Sequence, residues 1–538
     1  MNYISLLGLL TLIGCAWAIS VYRTDIKIKP IIWGISLQLI FALIILRQDY
    51  MSFIGMSILG ILLILYNHSN EKQPGENLSL SLLIIGIALS SGYLLTIFPK
   101  IAYLVMLTSI FAIIIKAILK LNFKYDNIIN SILIISIIAY LISNSLYGKL
   151  IFQNFSTKIA YFLSLSDYGS EFLFGNLSNG KYFFTSSNSP WPGFGFQFAF
   201  KVLPTIIFFG GFMSVLYYWG IMQKVIQTMS QFMRWSIGTS GAETLSCSAN
   251  VFVGQTEAPL LIKPFLERMT KSELFTIMVG GFATIAGGVL AGYIAMGVPA
   301  GHLIAASVMS APAALVIGKI IFPEKEHSET AGDVELPSIT VGSNTIEAAS
   351  NGITDGLKLA VNVGAMLIGF IALIAVMDVI LNWLDSIIDG TILNGLYISY
   401  DSSGLSPVSG EFSGYFPGSL RTFFGTILSP LAFLMGVPWE DARQVGNLLG
   451  IKLSLNEFVA FGTLGDYINK GLIGEKAIII STYALCGFAN FSSIGIQIGG
   501  MSAIAPSRKG DLAKIGLKAM FGGAIASWLT ATIAGIFI

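Results

Sequence analysis

Apolar runs of about 20 residues, each able to cross roughly 30 Å of hydrocarbon, recur along the whole chain. The first two cover 4–22 and 30–47, and four more follow at 51–66, 79–98, 101–121 and 128–147. Lys116 falls inside one of these, near its cytoplasmic end, where its stem can reach the interface. Residues 148–198 lose the pattern: they mix apolar positions with Ser, Gly and Asn, include SSNSPWPGFG, and read as an external loop with room for an interfacial piece. A span at 200–221 then leads into Gln223–Trp235. There Lys224 and Arg234 flank Val225, Ile226, Met229 and Phe232, a spacing that predicts an amphipathic helix lying in the inner interface.

Two later stretches, 239–267 and 439–466, are apolar enough to enter a membrane but too rich in polar and small residues to face lipid. Such backbone survives at that depth only when buried in protein or lining a cavity, so both are predicted to be re-entrant hairpins. Spans at 272–297 and 302–322 follow the first; a hydrophilic loop from Pro323 to about Ser350, carrying Glu324, Lys325, Glu326 and Asp333, comes next. The long span 356–385, an external loop to about 417 and an interfacial helix at 418–436 precede the second hairpin, and spans at 475–500 and 512–538 close the chain.

The second half thus repeats the first, and Gly281-Phe282-Ala283-Thr284-Ile285-Ala286-Gly287 aligns with Gly487-Phe488-Ala489-Asn490-Phe491-Ser492-Ser493. Arg23, Lys27 and Lys29 assign the first loop to the cytoplasm and the N-terminus outside. The first hairpin then enters from the cytoplasm, beside Lys263, Arg268 and Lys271, and the second from outside, with the Arg508-Lys509 loop cytoplasmic again. Inverted repeats with interrupted helices are characteristic of secondary transporters, whose sites lie where the breaks meet.

The predicted fold is an all-α polytopic membrane protein with two re-entrant helical hairpins and two broken transmembrane helices. Its divisions are N-terminal helices at 1–47, inserted spans at 48–147, an external region at 148–198, a first repeat at 199–322, a cytoplasmic loop at 323–355 and a second, inverted repeat at 356–538.

Composition agrees. Of 538 residues 54% are hydrophobic and only 11% charged, far below the roughly 25% charge of soluble domains; mean hydropathy is +0.77. A net charge of +1 offers no bulk field for nucleic acid. Three cysteines, Cys15, Cys247 and Cys486, are far apart, without metal-ligand spacing or a disulfide framework. Leu12-Ile13-Gly14-Cys15 looks like a lipoprotein signal, but the start of the chain lacks the positive segment such a signal needs, and a retained first helix is expected.

Against this background the stretch GQTEAPL, residues 254–260, stands out, because Glu257 is an ionisable group at membrane depth and functional by default. The competing reading is a solvated loop carboxylate. Glu457, in Asn456-Glu457-Phe458-Val459-Ala460, holds the matching place in the second repeat, where an external loop charge is again the alternative. Carboxylates and amides suit a neutral solute rich in hydroxyl and amide groups. Asn490, Ser492 and Ser493 interrupt one span, and Thr284 with Gly287-Gly288 interrupts its counterpart. Small polar residues in one span could serve packing alone, whereas their coincidence in both repeats favours broken helices whose freed carbonyls, with Asn250 and Thr284, offer oxygen ligands to a hard cation. His302 and His327 read as surface groups, and Asp378 as an interfacial contact or a pathway residue. An enzyme using Glu257 and Glu457 as acid and base would lack a nucleophile, metal cluster or P-loop; a channel would conflict with hairpins occluding from both faces.

Three strings, Asn250-Val251-Phe252-Val253-Gly254-Gln255-Thr256-Glu257-Ala258-Pro259-Leu260, Asn456 to Ala460, and Ala484-Leu485-Cys486-Gly487-Phe488-Ala489-Asn490-Phe491-Ser492-Ser493, closely resemble the concentrative nucleoside transporter family. Val361-Asn362-Val363-Gly364-Ala365-Met366-Leu367 and Leu431 to Trp439 add to the likeness, which covers 1–47 loosely and about 165–538 strongly.

The resemblance implies a homotrimeric importer of the bacterial inner membrane that couples nucleoside uptake to Na+, with no other cofactor. It also implies a trimerising scaffold and a transport domain that moves as an elevator; H+ coupling, which would lean on Glu257 or Glu457, is the alternative. Carried over by motif, Gln255, Thr256 and Glu257, with Val289, would face the nucleobase; Glu457, Asn490 and Ser493 would hold the ribose; Phe488 and Leu359 would supply apolar walls. Na+ would sit among Asn250, Thr284 and the carbonyls of Val253 and Ile285. The chain departs from compact bacterial members at 48–147, about 100 residues with four apparent spans, an even number that leaves downstream topology intact.

Overall fold

The protein is described by a computed structural model covering residues 3–69, 78–119, 126–183, 193–195, 197–330, 332, 334, 341–399 and 406–538; Asp333 and most of SSNSPWPGFG lie outside the described residues. Among these, ten helices are long and apolar enough to cross a membrane. Helices α1 (Tyr3–Ala18) and α2 (Ile28–Leu46) come first, followed by α3 (Tyr50–His68), α4 (Leu78–Ile97), α5 (Pro99–Leu119) and α6 (Asp126–Ser143). α3 is anchored at its start by Asp49, which accepts from the Met51 amide at 3.1 Å, and packs between α2 and α6. α4 and α5 are hardly buried, as helices facing lipid can be.

The region expected as an external loop is helical over much of its length, in α7 (Gly148–Ser164) and α8 (Ser166–Phe174). Its polar residues fall on one helical face, so the Ser and Asn content that suggested a loop marks an amphipathic surface instead. Ser166 and Thr205, 3.0 Å apart, and the Lys201–Asp167 ion pair at 2.6 Å tie it to α9 (Phe198–Tyr218). The predicted amphipathic segment is α10 (Ile221–Ile237), which buries Ile226, Phe232 and Met233.

The first hairpin descends as α11 (Gly241–Ala249), started by a reciprocal Ser240/Glu243 capping box, and returns through a 3-10 turn at Ala258–Ile262 that accommodates Pro259 at its beginning. α12 (Lys271–Ala283) stops at Thr284, and the chain resumes as α13 (Gly287–Ala295) before α14 (Ala300–Ile321). α15 (Thr345–Asp385) starts well before the expected position 356, because Asn344 caps it by accepting from the Glu347 amide at 2.9 Å. The polar residues after Asn344 are compatible with helix, so hydrophilicity misplaced the boundary. Beyond it, short strands β1 (Tyr397–Ser399) and β2 (Gly410–Phe412) pair antiparallel.

Asp378 braces the segment between α15 and the next helix: its carboxylate accepts from Ser406 Oγ at 2.5 Å and from the Leu420 amide at 2.8 Å. α16 (Leu420–Leu434) turns by 117° into α17 (Trp439–Ser454), which with α18 (Glu457–Asn469) makes the second hairpin. α19 (Glu475–Leu485), a break, α20 (Phe491–Ile504) and α21 (Lys509–Phe537) complete the fold. His302 is half-buried on α14 with its ring 5.9 Å from that of Tyr483, deeper than a surface group, whereas His327 is exposed.

The sidedness of the hairpins can be read from α21, whose 29 residues span about 43 Å at 1.5 Å each. At its start Arg508 donates to the carbonyls of Glu267 (3.0 Å) and Met269 (2.6 Å), at the base of the first hairpin. At its far end the Ile538 carbonyl accepts from Lys476 Nζ at 3.2 Å, just past the base of the second. The two hairpins therefore open at opposite ends of one helix. On the Arg508 side, the Val21 amide meets the Ile321 carbonyl at 2.8 Å and Lys325 pairs with Asp25 at 2.8 Å, holding the Asp25 carboxyl below the usual carboxylate range.

α9 and α15 meet backbone to backbone at their glycines: a Cβ on Gly210 would lie 2.7 Å from the Gly352 carbonyl, and one on Gly352 2.5 Å from the Gly210 carbonyl. Gly352→Leu is expected to force the pair apart at a cost of about 1–3 kcal/mol, lowering the unfolding temperature of the solubilised protein; an unchanged melting curve would contradict this crossing.

Candidate substrate and cation site

The two interrupted helices cross at their breaks. The Phe488 amide donates to the Thr284 carbonyl at 3.2 Å, and a Cβ on Gly487 would stand 2.6 Å from the Phe282 carbonyl. Gly487 has φ +139°, which disfavours any side chain there as well. The remaining groups freed by the breaks are partly satisfied: Ser527 Oγ donates to the Cys486 carbonyl at 2.8 Å and Lys452 Nζ to that of Ala484 at 2.9 Å. Asn490 caps α20, its Oδ1 accepting from the Ser493 amide (2.9 Å) and Ser492 Oγ (2.7 Å).

Each hairpin tip leans on the broken helix of the other repeat. At the first tip Gln255, 7% exposed, donates from Nε2 to Ser493 Oγ at 3.3 Å, and Thr256 lies against Gly500. Glu257 is exposed, with its carboxylate folded back over Gly254. At the second tip Asn456 caps α18 through the Val459 amide at 2.9 Å, which leaves Glu457 as the first helical residue. Glu457 is only 3% exposed; its two oxygens accept from Tyr293 OH (3.1 Å) and Asn490 Nδ2 (3.2 Å). An ionisable group at this depth requires such partners.

The residues expected around a nucleoside thus fall into two joined sets, Gln255 with Ser493 and Glu457 with Asn490. Phe488 is half-buried beside them at the second break. Val289 is 2% exposed, more enclosed than an open wall position, and Leu359 on α15 reaches within 3.4 Å of where a Gly288 Cβ would be. Three residues escaped the sequence reading: Tyr293, Lys452 and Gln497, all buried and all bonded to residues of the breaks or tips. For Tyr293 and Gln497 the available signal was a hydroxyl or an amide inside an apolar half-helix; Lys452, in the polar helix α17, gave none.

The expected cation ligands lie on two stretches that touch: the Gly287 amide donates to the Phe252 carbonyl at 3.1 Å, and a Cβ on Gly280 would stand 3.6 Å from Asn250 Nδ2. Asn250 is buried, and neither atom of its amide finds a partner among the described residues. Thr284 Oγ1 spends its proton on the Gly280 carbonyl at 2.8 Å, so its lone pairs stay available. Among the described residues nothing donates to the carbonyls of Val253 or Ile285. Four oxygens of this kind fit a hard monovalent cation.

Sequence profiles described as the N-terminus of a Na+-dependent nucleoside transporter, nucleoside recognition (gate), and the C-terminus of a Na+-dependent nucleoside transporter match residues 7–62, 199–300 and 302–535. An uncharacterized transporter of Haemophilus influenzae is 45% identical over 69% of this chain and 81% of its own length. Sodium/nucleoside cotransporter 1 of Mus musculus is 42% identical over 72% of this chain and 56% of its own. Among solved structures, the transporter CNTnw in an inward-facing substrate-bound state has a TM-score of 0.71 and 31% identity, covering 99% of this chain and 97% of that one. An outward-facing state of CNTnw has a TM-score of 0.70 and 30% identity over the same shares. With its matching profiles, its relatives and its fold, this multi-pass membrane protein belongs to the family of Na+-dependent nucleoside transporters and is not an enzyme.

Proposed function

We propose that the protein imports nucleosides across the bacterial inner membrane by symport with Na+, as a homotrimer in the lipid bilayer. The observation that carries the choice of Na+ is the Asn250 amide, buried without a partner among the described residues, where the carbonyls of Val253 and Ile285 also accept from nothing described. A buried amide left unsatisfied costs about 1–3 kcal/mol, and a bound cation removes that cost for its oxygen. Glu457 is already held by two donors and serves the ribose hydroxyls, with Asn490 and Ser493; Gln255, Thr256, Glu257 and Val289 face the base, and Phe488 and Leu359 flank it. Cation binding at the root of the first tip favours closure over the substrate, which couples the two.

In this reading the close pair α9 and α15 belongs to a fixed scaffold, whose exposed apolar residues such as Val376 and Trp383 suit a subunit contact or lipid. The hairpins and broken helices travel past it as an elevator. Residues 48–147 are an accessory layer outside this machinery.

In proteoliposomes labelled uridine is expected to accumulate under an inward Na+ gradient and not with choline in its place. Equal uptake in choline without a pH gradient would refute Na+ coupling, and uptake driven by a proton gradient alone would favour the H+-coupled alternative.

A further inference from the structure

Gln497 lies on α20, one turn beyond Ser493, and is 1% exposed. Its Nε2 donates both to the Met278 carbonyl at 3.2 Å and to Gln255 Oε1 at 3.0 Å. A main-chain carbonyl can only accept, so Met278 dictates which end of the Gln497 amide faces it. Gln497 therefore turns its nitrogen to Gln255, and Gln255 must answer with its oxygen. That leaves Gln255 Nε2 pointing the other way, with one N–H on Ser493 Oγ at 3.3 Å and the second available to a ligand. Room for the contact comes from Gly281: a Cβ there would collide with Gln497 Nε2 and come within 3.0 Å of Gln255 Cβ.

We propose that Gln497 is a positioning residue that fixes Gln255 as a hydrogen-bond donor toward the nucleobase, so that the carrier favours bases presenting an acceptor on that edge over bases presenting an amino group. The inference rests on the reading that Gln255 faces the base. An unconstrained primary amide can rotate by half a turn and serve either kind of base; one pinned through a second amide to the main chain cannot. A site built around a fixed donor discriminates strongly, because the wrong partner leaves two donors opposed and unpaired.

Uridine and cytidine differ by a carbonyl against an amino group on one edge and make the test. In Gln497→Met, of similar length but without donors, the uridine-to-cytidine preference is expected to fall by about tenfold, the weight of one buried hydrogen bond. The change should be carried by KM and not by Vmax, with the Na+ concentration for half-maximal uptake held within about twofold. Gln497→Glu, protonated at this depth so that its hydroxyl donates to the Met278 carbonyl, turns an oxygen lone pair toward Gln255, reverses that amide, and should lower the ratio further. If both variants keep the wild-type ratio, or lose Vmax without a change in ratio, the positioning role is wrong. Gln255→Ala separates the two levels: an unaltered ratio in that variant refutes the base-facing reading itself, whereas a ratio moved by Gln255→Ala but by neither Gln497 variant refutes the inference alone. Calorimetric binding of both nucleosides to the solubilised protein gives the same ratio where a variant transports too slowly to measure.

Discussion

Glu457→Gln is expected to reduce Na+-driven uridine uptake by about 100-fold or more while the protein still inserts and elutes as the wild-type species. The carboxylate accepts from Tyr293 OH and Asn490 Nδ2 through separate oxygens. An amide has only one oxygen and no charge: with that oxygen on Asn490 Nδ2, its nitrogen faces the tyrosine hydroxyl, which turns to accept, and charge-assisted bonds become neutral ones. Hydrogen bonds to a charged group contribute about 1.5–3 kcal/mol each, and every 1.4 kcal/mol is tenfold. Weakening both bonds in the empty site, and losing the charged acceptor for a ribose hydroxyl in the loaded one, gives the stated factor. Size-exclusion and helical circular dichroism would separate this from misfolding, and wild-type uptake by a well-folded Gln variant would remove Glu457 from the site.

Asn250→Leu is expected to abolish Na+ dependence with no loss of stability in the Na+-free protein. The Asn250 amide has no partner among the described residues to lose, and replacing an unsatisfied buried polar group with an apolar one is neutral or favourable. At a Na+ concentration 100 times its dissociation constant, the wild type should gain about 2.7 kcal/mol relative to choline, visible as a raised unfolding temperature. The variant should show no such difference and should bind nucleoside weakly at any Na+ concentration. A retained Na+-dependent shift would exclude Asn250 as a ligand. Because the readout is stability, this result stands apart from the Glu457 experiment, in which Na+ stabilisation should persist.

Most of the architecture was legible because membrane spans and interrupted spans leave different traces. Length and apolarity located most of the helices, and the unusual polarity of 239–267 and 439–466 marked the stretches that the structure folds as the shorter helices α11, α17 and α18. What misled was polarity taken as a sign of loop. In α7 and α8, and in the first turns of α15, Ser, Asn and charged residues occupy helical turns, since a helix that leaves the bilayer needs only one apolar face or none.

At the site, sequence pattern found the residues that interrupt an apolar run but not those that answer them from a distance. Tyr293 is 164 positions from Glu457, and Gln497 is 242 from Gln255. Neither breaks a helix, so neither disturbs the local pattern; only the crossing of the two broken helices makes partners of them. His302 was misjudged for a related reason, its cover coming from Tyr483 on another element.

The crosswise bracing of the tips bears on when the site can close as the chain is made. Gln255 finishes on Ser493, 238 positions later, and Glu457 on Tyr293, 164 positions earlier. A chain synthesised only as far as α14 would leave Gln255 with no such brace, so the site closes only once α20 has been threaded into place.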